Sequence, residues 1–227
     1  MLKRALITGA TGDIGKAIAN RLAQEGWDLL LCANKSEFDT NLSGQWLRFD
    51  VSNPQEVKRA LANIGKIDLL VCCAGISEEE KLLIDTTDEA IEKLVSVNLL
   101  GTIYTIKYAI KNLNRGGSII NIASFLGESG CSCEAVYSAT KGGLISLTKS
   151  LSKELSAFDL RVNSISPGYI DTKMNAEFST EEKAALAADT PVGRLGRADE
   201  VADGVVFLAN NQFITGENLT ISGGLKI

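Results

Sequence analysis

Histidine is absent from the 227 residues. That removes the commonest metal ligand and every Ser-His or Cys-His nucleophile system, so acid–base chemistry would need another side chain, and no metal site is expected. Cysteine is sparse. Cys32, Cys72, Cys73, Cys131 and Cys133 are odd in number and match no zinc spacing. Cys32, Cys72 and Cys73 sit in apolar runs, where the thiol behaves as a small hydrophobe; Cys131 and Cys133 lie in a Gly/Ser-rich stretch and read as reduced thiols, with a redox role as the alternative. Basic charge is not in excess: the net charge is −5, which argues against a nucleic-acid surface. No apolar run approaches the roughly 18–20 residues that span a bilayer, so no membrane partner is expected. The first nine residues run straight into a strand pattern and leave no room for a signal peptide; the expected compartment is the cytoplasm.

What is present is a core-forming composition, 45% hydrophobic and 22% charged. Short apolar runs at 5–8, 28–32, 47–50, 69–72, 118–122, 162–165 and 218–221 read as strands. Most are continuous rather than alternating, as strands buried on both faces require. Helical patterns cover 14–25, 55–63, 88–111, 137–156 and 199–208. This order predicts an α/β fold: one doubly wound, Rossmann-like parallel sheet of about seven strands, spanning 1–227 as a single domain. The polar, Ala/Glu-rich stretch 171–192 breaks the rhythm. It suits a mobile helical lid or, equally, a plain surface insertion.

Three local patterns carry chemistry. Thr8-Gly9-Ala10-Thr11-Gly12-Asp13-Ile14-Gly15 follows the first strand and opens a helix. Glycines permit the tight turn, and helix N–H groups offer an anion site suited to a pyrophosphate. Ser124 ends the strand 118–122 run, at the edge where open sheets bind ligands. Tyr137 and Lys141, at i and i+4, share one helix face. With no histidine, the Tyr137 phenol is an available proton donor. An ammonium about 4 Å away is worth about 4 kcal/mol at an effective dielectric near 20, which would bring the phenol from about 10 to near 7.

Together these patterns resemble the short-chain dehydrogenase/reductase family over nearly the whole chain. The first matches its T-G-x-x-x-G-x-G turn at Thr8, Gly9 and Gly15, with Asp13 on the middle glycine. A carboxylate there opposes a phosphate unless it turns away or caps the helix. The resemblance implies a catalytic set of Asn98, Ser124, Tyr137 and Lys141. Ser124 would orient the substrate oxygen, Lys141 would hold the nicotinamide ribose, and the carbonyl of Asn98 would anchor a water in a proton relay. Thr11, Gly12, Asp13 and Ile14 would border the pyrophosphate. Asp50 and Val51, closing the third strand, would meet the adenine. Cys73, Ala74 and Gly75 stand at the family's N-N-A-G element, so the bonds of the missing asparagine must come from elsewhere. Pro167, Gly168, Ile170 and Thr172 resemble the segment that meets the nicotinamide amide.

At the end of the second strand Ala33 replaces the acidic residue that binds an NAD ribose, and Asn34, Lys35 and Ser36 follow. Amide, ammonium and hydroxyl donors favour NADP(H), with NAD(H) as the alternative. Among relatives the chain looks most like bacterial 3-oxoacyl-acyl-carrier-protein reductases, in its N-I-A-S, G-R-L-G and I-T-G segments. A small-molecule or acyl-carrier-bound carbonyl is therefore the expected substrate. An acidic carrier would need a basic patch, to which Arg115 and Lys111 could contribute. Phe158 stands where close relatives often carry a basic residue. The rival readings are a reductase of another small carbonyl, sugar or alcohol, and a non-catalytic dinucleotide-binding protein. The family implies a homotetramer or a homodimer.

Overall fold

The computed structural model describes residues 2–39, 41–173 and 178–225. Among them seven strands form one sheet in which every pairing is parallel. They are β1 (Arg4–Thr8), β2 (Asp28–Ala33), β3 (Gln45–Arg48), β4 (Ile67–Cys72), β5 (Leu113–Ile122), β6 (Arg161–Pro167) and β7 (Asn218–Ile221). Their order is β3-β2-β1-β4-β5-β6-β7, a doubly wound arrangement that reverses direction between β1 and β4. A crevice opens at such a reversal, outside the carboxyl ends of the strands.

The continuous apolar strands are explained by two cores. Alternate side chains of a strand point to opposite faces. Ala5, Ile7, Leu29, Leu31, Leu69 and Val71 pack on one face against Ile18 and Leu22 of α1 (Asp13–Gln24) and Val201, Val205 and Leu208 of α8 (Ala198–Asn210). Leu6, Leu30, Cys32, Leu70 and Cys72 pack on the other, against Val57 of α2 (Pro54–Ala60) and Ile106 and Ala109 of α4 (Gly101–Ala109). Pro54 takes the first helical position, and Asn53 caps α2 by accepting from the Gln55 and Glu56 amides.

Three expectations shift. The third strand lies at Gln45–Arg48, two residues earlier than expected, so Asp50 and Val51 stand in the following turn rather than closing the strand. Asp50 stabilises that turn by accepting from the Ser52 amide at 2.8 Å and its hydroxyl at 2.7 Å. The helical pattern 88–111 contains α3 (Asp88–Leu94) and α4, joined by a π-helical segment, Val95–Leu100, that carries Asn98. Such widened turns recur where a helix must present backbone or side chains to a site. Within 171–192, Thr180–Asp189 forms α7, started by a Ser179–Glu182 capping box. Residues 174–177 of the expected lid lie outside the described residues.

Candidate active site

The crevice is a cleft of about 830 Å³. It runs from the glycine turn, past the ends of β2 and β4, to Ser124, Tyr137 and Lys141. The turn fits an anion. Gly9 has φ +67, and a Cβ there would lie 2.8 Å from the Ala74 backbone. A Cβ on Gly15 would lie 2.2 Å from the Gly9 carbonyl oxygen. Both must be glycine for α1 to start this close to β4. Gly12 is the N-cap and lends no side chain to the first helical turn, whose N–H groups have no intrahelical partners of their own.

Asp13 therefore does not cap the helix. It is the first residue of α1, and its carboxylate turns aside to accept from the Lys173 amide at 2.5 Å. Thr8 also differs from expectation. It is buried, lies outside the cleft lining, and its hydroxyl accepts from the Cys73 and Ala74 amides at 3.1 and 3.2 Å. That pair of bonds fixes the backbone after β4 without a side chain from Cys73. Gly9, Thr11, Gly12, Asp13, Ile14, Gly15, Asn34, Lys35, Asp50, Val51, Cys73, Ala74, Gly75, Pro167, Gly168, Ile170 and Thr172 all line the cleft.

At the adenosine end Asn34 is already engaged. One N–H of its amide donates to Asp50 Oδ2 at 2.9 Å, and Lys35 and Ser36 line the cleft beside it. Burial works against ionising Asp50, but bonds from Ser52 and Asn34 and the Lys35 charge outweigh it and hold the carboxyl below its usual range. Arg48, which sequence reasoning passed over, donates to the carbonyls of Asn34 and Ser36 and lies 4.4 Å from the Phe38 ring centroid.

Ser124, Tyr137 and Lys141 meet at the other end. β5 carries Ser124 just beyond its end, and α6 (Ala135–Glu154) presents Tyr137 and Lys141 one turn apart. The Ser124 hydroxyl accepts from the Leu126 amide at 3.2 Å and acts on the Tyr137 phenol to lower its pKa, and Lys141 Nζ stands 5.6 Å from the centre of the phenol ring. Asn98 is fully buried behind them. Its side chain accepts from the Ile76 amide at 2.8 Å and donates to the Ile76 carbonyl at 2.9 Å. The amide is thus used to fix the segment after β4. The main-chain oxygen of Asn98 accepts from Thr102 Oγ1 at 3.1 Å. Ile76, Ser77, Lys93, Val97 and Lys173 also line the cleft and were not foreseen. Lys93 and Val97 are four apart on one helix face, a spacing that could have revealed them.

Residues 9–226 match the family model described as enoyl-(acyl carrier protein) reductase. The chain is 38% identical to carbonyl reductase family member 4 of Xenopus laevis, covering 100% of this chain and 99% of that one. It is 36% identical to the 3-oxoacyl-[acyl-carrier-protein] reductase of Rickettsia felis, covering 98% and 96%. Its fold superimposes with TM-score 0.94 on a short-chain dehydrogenase/reductase, glucose/ribitol dehydrogenase, from Brucella melitensis, at 33% identity over 99% and 97% of the chains. The chain is a short-chain dehydrogenase/reductase. A further neighbour, a blue fluorescent protein from a metagenomic library solved with NADPH, superimposes with TM-score 0.90 at 29% identity over 99% and 98%. The chain is thus an oxidoreductase of a family that uses nicotinamide dinucleotides, and the cleft has the glycine turn such a cofactor needs.

The electrostatics of this dehydrogenase site correct one expectation. Lys141 does not bring Tyr137 near 7. Burial pushes the phenol up to about 12; the Ser124 bond opposes this and the Glu134 charge adds to it. Burial also pushes Lys141 down to about 8, with Cys73 opposing. Lys141 Nζ donates to the Ile122 carbonyl at 2.9 Å and is 5% exposed. Burial disfavours the charged form of both groups. Glu134, one turn before Tyr137, is raised to about 7 by burial and then by Glu80.

Proposed function

We propose that this reductase converts a 3-oxoacyl thioester, carried on acyl carrier protein, to the 3-hydroxyacyl form, with NADP(H) favoured over NAD(H). The reading rests on one observation: Ser124, Tyr137 and Lys141 line the same cleft as the glycine turn. The chemistry supplied by the bound nicotinamide is hydride transfer to the carbonyl carbon. Ser124 Oγ donates to the carbonyl oxygen and orients it. Tyr137 gives its phenolic proton to that oxygen as the alcohol forms. A phenol raised to about 12 holds its proton throughout neutral pH, which suits an acid in the reductive direction. Lys141, lowered to about 8 and largely protonated at neutral pH, returns a proton to the phenolate. Asn98 holds the segment after β4 against Lys141.

The substrate class is supported by 36% identity to a 3-oxoacyl-[acyl-carrier-protein] reductase. Another small carbonyl, sugar or alcohol is the second reading, supported by 38% identity to a carbonyl reductase. Arg115 is an unsuitable local dock for a carrier. It lies near the start of β5, nine residues before Ser124, which is roughly 30 Å of strand. With Lys111 it stands at the opposite end of the sheet from the cleft, so this pair could serve the cleft of a neighbouring copy but not its own. Self-association into a tetramer or dimer is supported by the open edge strand β7 and by Phe207 and Phe213 beside it, 51% and 101% exposed. Among the described residues no helix is long and apolar enough to cross a membrane, and we place the enzyme in the cytoplasm.

Reduction of acetoacetyl-CoA, followed by loss of nicotinamide absorbance with NADPH or NADH, tests the proposal. Turnover that falls about 10²- to 10⁴-fold in Tyr137→Phe, with cofactor affinity unchanged, is the expected result. Turnover with NADH alone refutes the NADP(H) preference. Failure on acetoacetyl-CoA alongside reduction of simple ketones or aldehydes favours the second reading.

A further inference from the structure

Asp13 is the one residue of the phosphate turn that departs from the family pattern with a charge, and the structure gives that charge a use. Its Oδ2 accepts from the Lys173 amide at 2.5 Å, joining the start of α1 to a segment 160 residues away. Lys173 follows Ile170 and Thr172, and all three line the cleft. The far side of this segment is already anchored. Gly196 donates its amide to the Tyr169 carbonyl at 2.8 Å, and its carbonyl accepts from the Asp171 amide at 2.9 Å. Thr172 thus stands between two anchors, Gly196 acting on Asp171 and Asp13 acting on Lys173. Without the second, Thr172 would be held from the Asp171 side alone, by Gly196 and by Lys183 Nζ, which donates to Asp171 Oδ1 at 3.2 Å.

We infer that Asp13 is a positioning residue that holds Thr172 against the nicotinamide half of the cofactor site. The inference rests on the cleft being the dinucleotide site. It makes the departure from glycine a compromise. A carboxylate at the first helical position sits favourably with the helix dipole. It sits less favourably beside a pyrophosphate, because like charges repel. The amide of Lys173 withdraws one carboxylate oxygen from that conflict and in return ties the two walls of the cleft together. The two effects act on different parts of the cofactor. Repulsion is felt by the pyrophosphate, whereas the tether is felt by the nicotinamide.

That difference supplies the test, by calorimetric or fluorescence titration of wild type, Asp13→Gly and Asp13→Asn with NADPH, NADH and ADP-ribose. ADP-ribose keeps the adenosine and pyrophosphate but lacks nicotinamide. Loss of a charge-assisted bond predicts that Asp13→Gly weakens the preferred dinucleotide by about tenfold or more, while ADP-ribose binds as well as before or tighter. Asparagine retains an acceptor oxygen without the charge, so Asp13→Asn should restore dinucleotide affinity to within about threefold of wild type. Unchanged or tighter dinucleotide binding by Asp13→Gly would overturn the inference, leaving charge repulsion as the residue's only effect. Equal weakening of dinucleotide and ADP-ribose would also overturn it, since the defect would then lie in the phosphate turn. Wild-type protein that binds neither ligand would overturn the cofactor reading, and the inference with it.

Discussion

Burying Lys141 should leave a measurable mark on how stability varies with pH. The amine is 5% exposed, and burial lowers it from 10.5 to about 8. A difference of about 2.5 units corresponds to about 3 kcal/mol of stability withheld while the amine is charged in both states. The sign follows from proton counting. Below pH 8 folded and unfolded chains both hold the proton, and the penalty is constant. Between about 8 and 10.5 the unfolded chain binds more protons than the folded one, so stability rises with pH. From pH 8 to pH 10 the rise is about 2 kcal/mol. Other groups act in the same range: Cys32, Cys72 and Cys73 are raised by burial and keep protons that the unfolded chain loses. Tyr137, raised to about 12, opposes only above pH 10. Comparison with Lys141→Met cancels the contributions of Cys32 and Cys72, which do not sense the amine, and includes in the difference the lowering that the Lys141 charge exerts on Cys73. The assay is urea unfolding of both at pH 7, 8, 9 and 10. Wild type should gain about 2 kcal/mol on the variant between pH 8 and pH 10. Parallel stability curves would show that Lys141 keeps an ordinary amine pKa, and the argument for a desolvated site would fail.

Three further perturbations bear on the frame around the site. Gly15→Ala places a methyl 2.2 Å from the Gly9 carbonyl oxygen, so the turn must move; we expect a loss of about 1–3 kcal/mol in urea unfolding together with weaker cofactor binding. Thr8→Val keeps the shape but leaves the Cys73 and Ala74 amides without an acceptor; about 1–3 kcal/mol should be lost, and an unchanged unfolding midpoint would refute the structural role of the hydroxyl. Glu134 has a folded value of about 7, above its ordinary 4.5, so the folded carboxyl keeps a proton that the unfolded one loses over that range. Wild type should therefore lose stability relative to Glu134→Gln as pH rises from 5 to 7, read from melting temperatures, and equal shifts in both proteins would refute it.

What the sequence made legible follows from which forces act locally. Continuous apolar runs such as Leu29–Cys32 betray two-sided burial without knowledge of their neighbours, so the sheet and its layers could be read. Tyr137 and Lys141 share one helix face by spacing alone, and Ser124 is placed by the end of its own strand. Long-range hydrogen bonds leave no such trace. Nothing near Asp13 announces Lys173, and nothing near Thr8 announces that its hydroxyl serves Cys73 and Ala74 rather than a cofactor. Asn34 looks like a free donor until Asp50 is seen beside it.

The misjudged phenol has a deeper cause. A pairwise Coulomb estimate for Tyr137 and Lys141 needs only a distance, and spacing on a helix supplies one. Desolvation needs the whole surrounding shell, which local sequence does not supply. Here the shell wins: it raises the phenol to about 12 and lowers the amine to about 8, so the polypeptide by itself favours a neutral phenol. Proton donation in the reductive direction then starts from a fully protonated acid. The reverse, oxidative direction must first remove a proton that burial holds tightly. Burial at the cleft floor thus disfavours ionisation of both groups at rest and biases the polypeptide toward proton donation.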